Sequence, residues 1–243
     1  MQKSASVEFL YGLNPAFECL RAGRRKVLEA FINEQTAESP RLKILRRLLE
    51  EQEIPVTLTD KGRLHQLSAS TEHQNVVLKT SRYPYVSHTE CLHAPRVLLL
   101  DNVEDPHNVG AILRSAEVFG FHHILLPTRG VPEVYPSVSK VSAGAVEFLN
   151  IARDCNAVAY VKKALEAGYT VAALDAKGNV RLDDFAREVP VPLLVVIGGE
   201  DKGVGQFILN HATVTLAIPQ SGRINSLNAS VAASLTLYAL RLS

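Results

Sequence analysis

The chain is poor in cysteine and has no long apolar run. Cys19, Cys91 and Cys155 are an odd, scattered set in 243 residues. That excludes the disulfide framework of a small secreted fold and offers no paired metal-ligand spacing. Each cysteine reads as a reduced, small, buried residue, and no metal is expected. No apolar run approaches the ~20 residues that span a bilayer, so no membrane association is expected. Met1 to Leu10 holds one lysine and an early Glu8. It lacks the apolar core of a signal peptide and the arginines of a transit peptide, which points to a cytoplasmic protein. Internal repeats and low-complexity segments are missing as well. What is present is an apolar content of 47%, which supports a full core and excludes wholesale disorder. The length suits one large domain or two modest ones.

A net charge of +1 conceals an uneven distribution. Residues 1–83 carry 13 Lys+Arg against 10 Asp+Glu, and residues 84–243 carry 13 against 15. The basic excess clusters at Arg21, Arg24, Arg25 and Lys26, and again at Arg41, Lys43, Arg46 and Arg47. Such clusters can neutralise phosphates. From charge alone they read equally as a solvated helix face balanced by Glu50, Glu51 and Glu53.

In the first 80 residues, apolar runs at Val27–Ile32, Ile54–Leu58 and Asn75–Lys79 read as strands. Arg41–Gln52 has the helix period, with Leu42, Leu45, Leu48 and Leu49. Lys61–Leu67 reads as a short helix. Asn14 and Pro15 suit the cap and first position of a helix ending near Leu20. Arg82–Pro95, with two prolines and little periodicity, reads as a linker. The expected division is 1–83, a linker at 84–95, and a second domain at 96–243.

The second domain opens on Arg96-Val97-Leu98-Leu99-Leu100-Asp101, a run that fits a strand buried on both faces. Further strands are expected at His122–Leu126, Glu147–Ile151, Tyr169–Leu174, Leu193–Ile197 and Val214–Ile218. Helices are expected at Val109–Phe119, Ala157–Ala167 and Ser226–Leu242, the last capped by Ser226 or Asn228. This alternation predicts an α/β fold with an open parallel sheet, whose ligands bind at the C-terminal strand ends.

Three polar segments follow predicted strands. The first, Asp101 to Arg114, contains Asn108 and Arg114 six residues apart, about 600° of helix rotation. Both face one ligand only if Asn108 lies at or before the N-cap. In the second, Gly198-Gly199-Glu200-Asp201-Lys202-Gly203, the glycines match neither G-x-G-x-x-G nor the Walker A pattern, which disfavours a dinucleotide or ATP site. They can instead offer backbone groups to a flat ligand. Glu200 can pair with Arg114 or cap a helix beginning near Val204. In the third, Ile218 to Ala232, a proline-terminated strand leads through Gly222 into a helix N-terminus, which presents free N–H groups.

Together these segments resemble the three signature motifs of the SpoU/TrmH branch of SPOUT RNA methyltransferases. The N-x-G-A-x-x-R core appears as Asn108 to Arg114, G-x-E-x-x-G as Gly198 to Gly203, and I-P-x-x-G-x-x-x-S-L-N-x-S as Ile218 to Ser230. Ser142-Ala143-Gly144-Ala145 and Glu147 also look like the family's segment, so the match covers residues 96–243. Residues 7–80 resemble the family's L30e-like α/β substrate-binding domain, although its usual His-Gln-Gly stands here as His73-Gln74-Asn75. In length and layout the chain is most similar to members that modify a guanosine of large-subunit ribosomal RNA.

The resemblance implies a C-terminal trefoil knot, S-adenosylmethionine as cofactor, and a homodimer with the active site at its interface. It implies a cofactor pocket built near Leu174, Gly198, Gly199, Ile218 and Leu227. It implies that Arg114 activates a ribose 2′-hydroxyl, while Asn108, Glu200, Ser226 and Asn228 orient Arg114 and the target nucleotide. Arginine keeps its proton under ordinary conditions, so stabilising a developing alkoxide suits it better than acting as a base. His107 is expected to pack or cap. Arg21, Arg24, Arg25 and Lys26 are expected to hold RNA, ribosomal RNA in preference to transfer RNA. Two alternatives stand beside this reading: a transfer RNA 2′-O-methyltransferase, and a non-catalytic RNA-binding protein of the same fold.

Overall fold

The structure, a computed structural model, describes residues 7–223 and 226–241. Ile224 and Asn225 of the third motif, and Leu242 at the expected end of the last helix, lie outside the described residues. The chain forms two compact units. One takes the chain up to Pro84 together with Val134–Glu147, and the other takes Tyr85–Glu133 and the chain from Phe148 on. The expected division was contiguous. Residues 134–147 join the first unit because Arg25 reaches Ser139 and Glu147 there. Residues 85–95 join the second, where the Val86 N–H donates to the Ile151 carbonyl at 2.9 Å.

The first unit runs β1 (Val7–Tyr11), α1 (Leu13–Ala22), β2 (Val27–Asn33), α2 (Pro40–Glu51), β3 (Val56–Thr59), α3 (Lys61–Ser68) and β4 (Val76–Ser81). Its sheet has the order β1-β4-β2-β3, antiparallel except for β2 with β3. Leu42, Leu45 and Leu49 bury the apolar stripe of α2 against Leu10, Leu20, Ile32 and Leu78. Sequence periodicity did not indicate β1, which pairs with β4 from Val7 opposite Ser81 to Tyr11 opposite Val77. Asn14 is not the cap of α1: the helix starts at Leu13 after Gly12, without a side-chain cap. Instead the Leu13 N–H donates to Gln74 Oε1 at 3.0 Å, so a remote amide satisfies one of the free donors at the helix start. Gln74 and Asn75 both adopt positive φ, 51° and 67°. Asparagine tolerates that region better than most residues, so this turn forms without the glycine usual in the family.

The second unit begins with α4 (His88–Cys91), β5 (Arg96–Asp101), α5 (Pro106–Val118) and β6 (His123–Leu125). After α6 (Pro136–Val141), which belongs to the first unit, it continues through β7 (Asn150–Ala152), α7 (Ala157–Glu166), β8 (Thr170–Leu174), β9 (Val180–Arg181) and α8 (Leu182–Phe185). It ends with β10 (Leu193–Gly198), α9 (Gln206–His211), β11 (Val214–Ala217) and α10 (Ala229–Ala239). The seven strands form one sheet in the order β7-β6-β5-β10-β8-β11-β9, and every neighbouring pair is parallel. All of β5 is buried, as is β10 up to its last glycine. That is the pattern of strands covered on both faces.

Two expectations are corrected. Asp105 caps α5 and Pro106 opens it, so Asn108 is the third helical residue and does not precede the helix. Glu147 belongs to a buried 3₁₀ turn, Ala145–Phe148, and β7 starts only at Asn150. Helices α5 and α10 run parallel and in register. Asn108 meets Asn228, Ser115 Oγ lies 2.8 Å from Ser234 Oγ, and Phe119 packs edge-on against Tyr238. Among the described residues no helix is long and apolar enough to cross a membrane.

Candidate active site

The loops after β5, β10 and β11 converge in the second unit, at the strand ends where an open parallel sheet binds its ligands. Close backbone contact makes this possible. A Cβ on Gly199 would stand 1.9 Å from the Asn102 carbonyl oxygen, and one on Gly198 would stand 2.2 Å from the Gly203 carbonyl carbon. Only glycine fits at either position. Buried Asp101 ties the β5 end to the same turn, its Oδ2 accepting from the Gly205 N–H at 2.8 Å. Burial pushes this carboxyl up, and the Gly205 hydrogen bond opposes that.

Asn108, Glu200 and Asn228 form one hydrogen-bonded cluster. Asn108 Nδ2 donates to Glu200 Oε1 at 3.2 Å. Asn228 Nδ2 donates to Asn108 Oδ1 at 3.2 Å and to Glu200 Oε1. The Ala229 N–H adds a longer bond to Glu200 Oε1 at 3.4 Å. Through its other side-chain atom, Asn228 caps α10: Oδ1 accepts from the Ser230 N–H at 2.9 Å and the Val231 N–H at 3.3 Å. The carboxylate thus sits at the positive end of α10, where a helix dipole favours it. Glu200 does not cap the helix after Gly203, whose Gly205 N–H is taken by Asp101.

A cleft opens beside this cluster. It is lined by Leu174, Gly198, Gly199, Ile218 and Leu227, all five residues expected at the cofactor pocket, and by Glu200 and Ser226. Asp175, Ala176, Gln220, Ala229 and Ala232 also line it and were not foreseen. The one cue for Asp175 is its place directly after an apolar strand. A second, more polar depression, lined by Asn102–Asp105, Asn108 and Asp201–Lys202, shares Gly199 and Glu200 with the first.

Arg114 is not part of this arrangement. It is exposed on α5 and lines neither depression. Six residues after Asn108, it projects about 120° around the helix from it. Its side chain makes no hydrogen bond or ion pair with a described residue, so neither Glu117 nor Glu200 partners it. His107 is exposed and does not cap; its own N–H is capped by Asp105 at 2.9 Å.

The expected RNA-binding arginines divide in two. Arg25 is 3% exposed and is removed from that set. Its Nη1 lies 2.6 Å from Glu8 and its Nε 3.0 Å from Glu147, and its guanidinium lies over Tyr83. These carboxylates raise its pKa against the pull of burial. Burial pushes the Glu147 carboxyl up, and Arg25 opposes that. No local pattern marks this pair, whose members stand 122 positions apart. Arg21 and Lys26 are exposed and Arg24 is half-buried. Arg21 pairs with Glu18 across one helical turn at 2.8 Å, and Arg24 lies over Tyr83. Among the described residues, one donor set could share a metal ion: His88, Asp154 and Cys155.

Comparison with known proteins agrees with this layout. Residues 95–238 match the SpoU rRNA Methylase family, and residues 9–86 match the RNA 2'-O ribose methyltransferase substrate binding family. A Bacillus subtilis protein assigned to the TrmH family of tRNA/rRNA methyltransferases, YacO, is 31% identical over 95% of this chain and 94% of its own. Two solved structures share the fold. The SpoU methyltransferase AviRb from Streptomyces viridochromogenes, in complex with AdoMet, has TM-score 0.79 and 23% identity, covering 96% of this chain and 88% of its own. An AdoMet-bound rRNA methyltransferase from Sinorhizobium meliloti has TM-score 0.80 and 22% identity, covering 96% and 86%. With one family match spanning more than half of its residues and a relative aligned over nearly its whole length, the chain belongs to the SpoU rRNA methylase family.

Proposed function

We propose that the chain transfers a methyl group from S-adenosylmethionine to a ribose 2′-hydroxyl of RNA, a guanosine of large-subunit ribosomal RNA being the target. The observation that carries this reading is the Asn108–Glu200–Asn228 cluster standing beside a cleft lined by Leu174, Gly198, Gly199, Ile218 and Leu227. Apolar walls beside glycine backbone suit a flat base and an aliphatic chain. The cofactor, when bound, supplies an electrophilic methyl on a sulfonium. The nucleophile would be the 2′-oxygen, bonding to that carbon as the sulfur–carbon bond breaks, with the sulfur leaving as a neutral thioether and the hydroxyl proton passing to water. Glu200, fixed by three donors, orients the two asparagines. Arg114 stabilises charge developing on the 2′-oxygen, and Ser226, which lines the cleft, positions the nucleotide.

Because Arg114 projects away from the cleft of its own chain, we place it at the site of a second copy in a homodimer. Support comes from the outer face of the α5–α10 pair. Val118, four residues from Arg114, is 64% exposed, and Val231, Leu235 and Tyr238 are 47%, 46% and 53% exposed. An apolar strip of this kind marks an interaction surface. The first unit is read as the RNA-holding domain of ribosomal-protein type, acting through Arg21, Arg24 and Lys26. The parallel sheet, with β10 inserted between β5 and β8, and the return of α10 onto α5 support the trefoil knot.

The test is to incubate the full chain with methyl-labelled S-adenosylmethionine and either ribosomal or transfer RNA, then analyse nucleosides by mass spectrometry. Label in 2′-O-methylguanosine from large-subunit RNA is expected. Label only in transfer RNA selects that alternative target, and label only on bases, or none, overturns the reading.

A further inference from the structure

Away from the cleft, three side chains from two distant parts of the sequence converge on one point. His88 stands at the start of α4. Asp154 and Cys155 occupy the turn between β7 and α7. His88 Nδ1 lies 2.8 Å from Asp154 Oδ2 and 4.0 Å from Cys155 Sγ, and the three ligand atoms all lie within 4.8 Å of one another. Both partners approach the same ring nitrogen. A nucleophile-relay triad would need the thiol on one imidazole nitrogen and the carboxylate on the other, so this geometry does not build one. Convergence on one point is the geometry of a ligand set.

The surrounding structure holds the donors in place. Tyr160, fully buried, accepts the N–H groups of Asp154 and Cys155 on its hydroxyl oxygen at 2.8 and 3.1 Å. It donates its own hydrogen to Asp154 Oδ1 at 3.0 Å. One hydroxyl therefore fixes the backbone that carries two donors and occupies the carboxylate oxygen that faces away from His88. An outer hydrogen bond that orients a ligating carboxylate is a recurrent feature of metal sites. The His88 N–H also donates to Asp154 Oδ2, at 3.1 Å, which anchors α4 to the same turn.

We propose that His88, Asp154 and Cys155 form a binding site for a zinc-like divalent transition-metal ion. One imidazole, one carboxylate and one thiolate make a borderline-soft donor set, which selects zinc over magnesium or calcium. Thiolate and carboxylate together neutralise a divalent charge. On binding, the Cys155 thiol releases its proton to water and His88 takes the tautomer with hydrogen on Nε2, freeing Nδ1 as the ligand. Tetrahedral ligands at zinc stand about 3.3–3.7 Å apart, so the two His88 distances need only modest adjustment. Water takes the fourth position, since His88 and Asp154 remain partly exposed. The ion clips the opening segment of the second unit to the edge strand β7, where Val86 already bridges to Ala152. Its role is structural and separate from methyl transfer.

The experiment uses the full chain, stripped with a chelator, and titrates Zn²⁺ alone against a chromophoric chelator, with Mg²⁺ as a parallel arm. One equivalent of Zn²⁺ bound, an affinity at least about 100-fold weaker in Cys155→Ser and in His88→Gln, and no response to Mg²⁺ are expected. Co²⁺ gives a second readout: a thiolate-to-metal charge-transfer band in the parent that Cys155→Ser lacks. This pair decides the matter if His88→Gln fails to fold. Equal Zn²⁺ affinity in parent and Cys155→Ser, or no stoichiometric binding by the parent, overturns the site.

Discussion

Arg25 and Arg114 carry the same guanidinium into opposite surroundings. Arg25 has two carboxylates, a hydroxyl and an aromatic face, and is almost wholly enclosed. Arg114 stands exposed on a helix with no partner among the described residues. An arginine enclosed by partners of its own fold cannot reach a phosphate, whereas an exposed, unpaired one can serve a substrate. On the proposed function, Arg25 carries structural charge and Arg114 functional charge, a division that clustering in the sequence does not make.

Breaking the buried side of this comparison gives the largest expected stability loss. Arg25→Ala strands two carboxylates, one of them fully buried, and is expected to cost about 3–5 kcal/mol, read from urea midpoints at constant m-value. Glu147→Ala should cost a similar amount, and the double variant less than the sum of the two, since both remove one interaction. Additive losses would show that Arg25 and Glu147 do not act as a pair.

The proposed catalytic cluster should respond differently. Asn228→Ala removes the cap of α10, worth about 1 kcal/mol, while methyl transfer falls far more than stability because Glu200 loses a donor. Retained turnover with lowered stability would reduce Asn228 to a cap alone. A smaller effect is expected at the exposed basic residues. Arg21→Ala and Lys26→Ala should each flatten the logarithmic salt dependence of RNA affinity by about 0.7–0.9, read from binding isotherms across salt concentrations. An unchanged slope in both would move RNA binding off this cluster.

The smallest perturbation uses the thiols. Burial pushes Cys19 and Cys91 up to about 12. The reactive thiolate stays scarce below that pH and grows only as pH rises towards it. At pH 8 neither should be alkylated in the folded chain, while half-buried Cys155 should label first. Early labelling of Cys91, read by peptide mass spectrometry, would contradict its closed packing against β6 and β7.

Much of the sheet was legible in the sequence because β5 and β10 are apolar runs that must be covered on both faces. Strands β1 and β9 were not, since a short edge strand carries little periodic signal. The start of α5 was written in Asp105-Pro106, a capping residue followed by proline, but Gly110-Ala111 drew the expected start three residues too late. Asn108 consequently lies inside the helix. Of the five residues expected at the cofactor, Gly198, Gly199, Ile218 and Leu227 lie in the matched motifs and Leu174 outside them; all five line the cleft, although a motif match says nothing of which side chains touch. The pairs Arg25–Glu147 and His88–Asp154 are 122 and 66 positions apart, and only folding brings them together.

The most direct test of the contrast between the two arginines is single-turnover methyl transfer at saturating RNA by Arg114→Ala, with thermal unfolding measured on the same sample. The account predicts a rate loss on the order of 100-fold or more, roughly 3 kcal/mol of transition-state stabilisation, with stability changed by less than about 0.5 kcal/mol. Arg114→Lys should also be slow, because lysine keeps the charge and loses the planar fork of donors. A rate within a few-fold of the parent would show that Arg114 is a surface residue and that the catalytic group lies elsewhere.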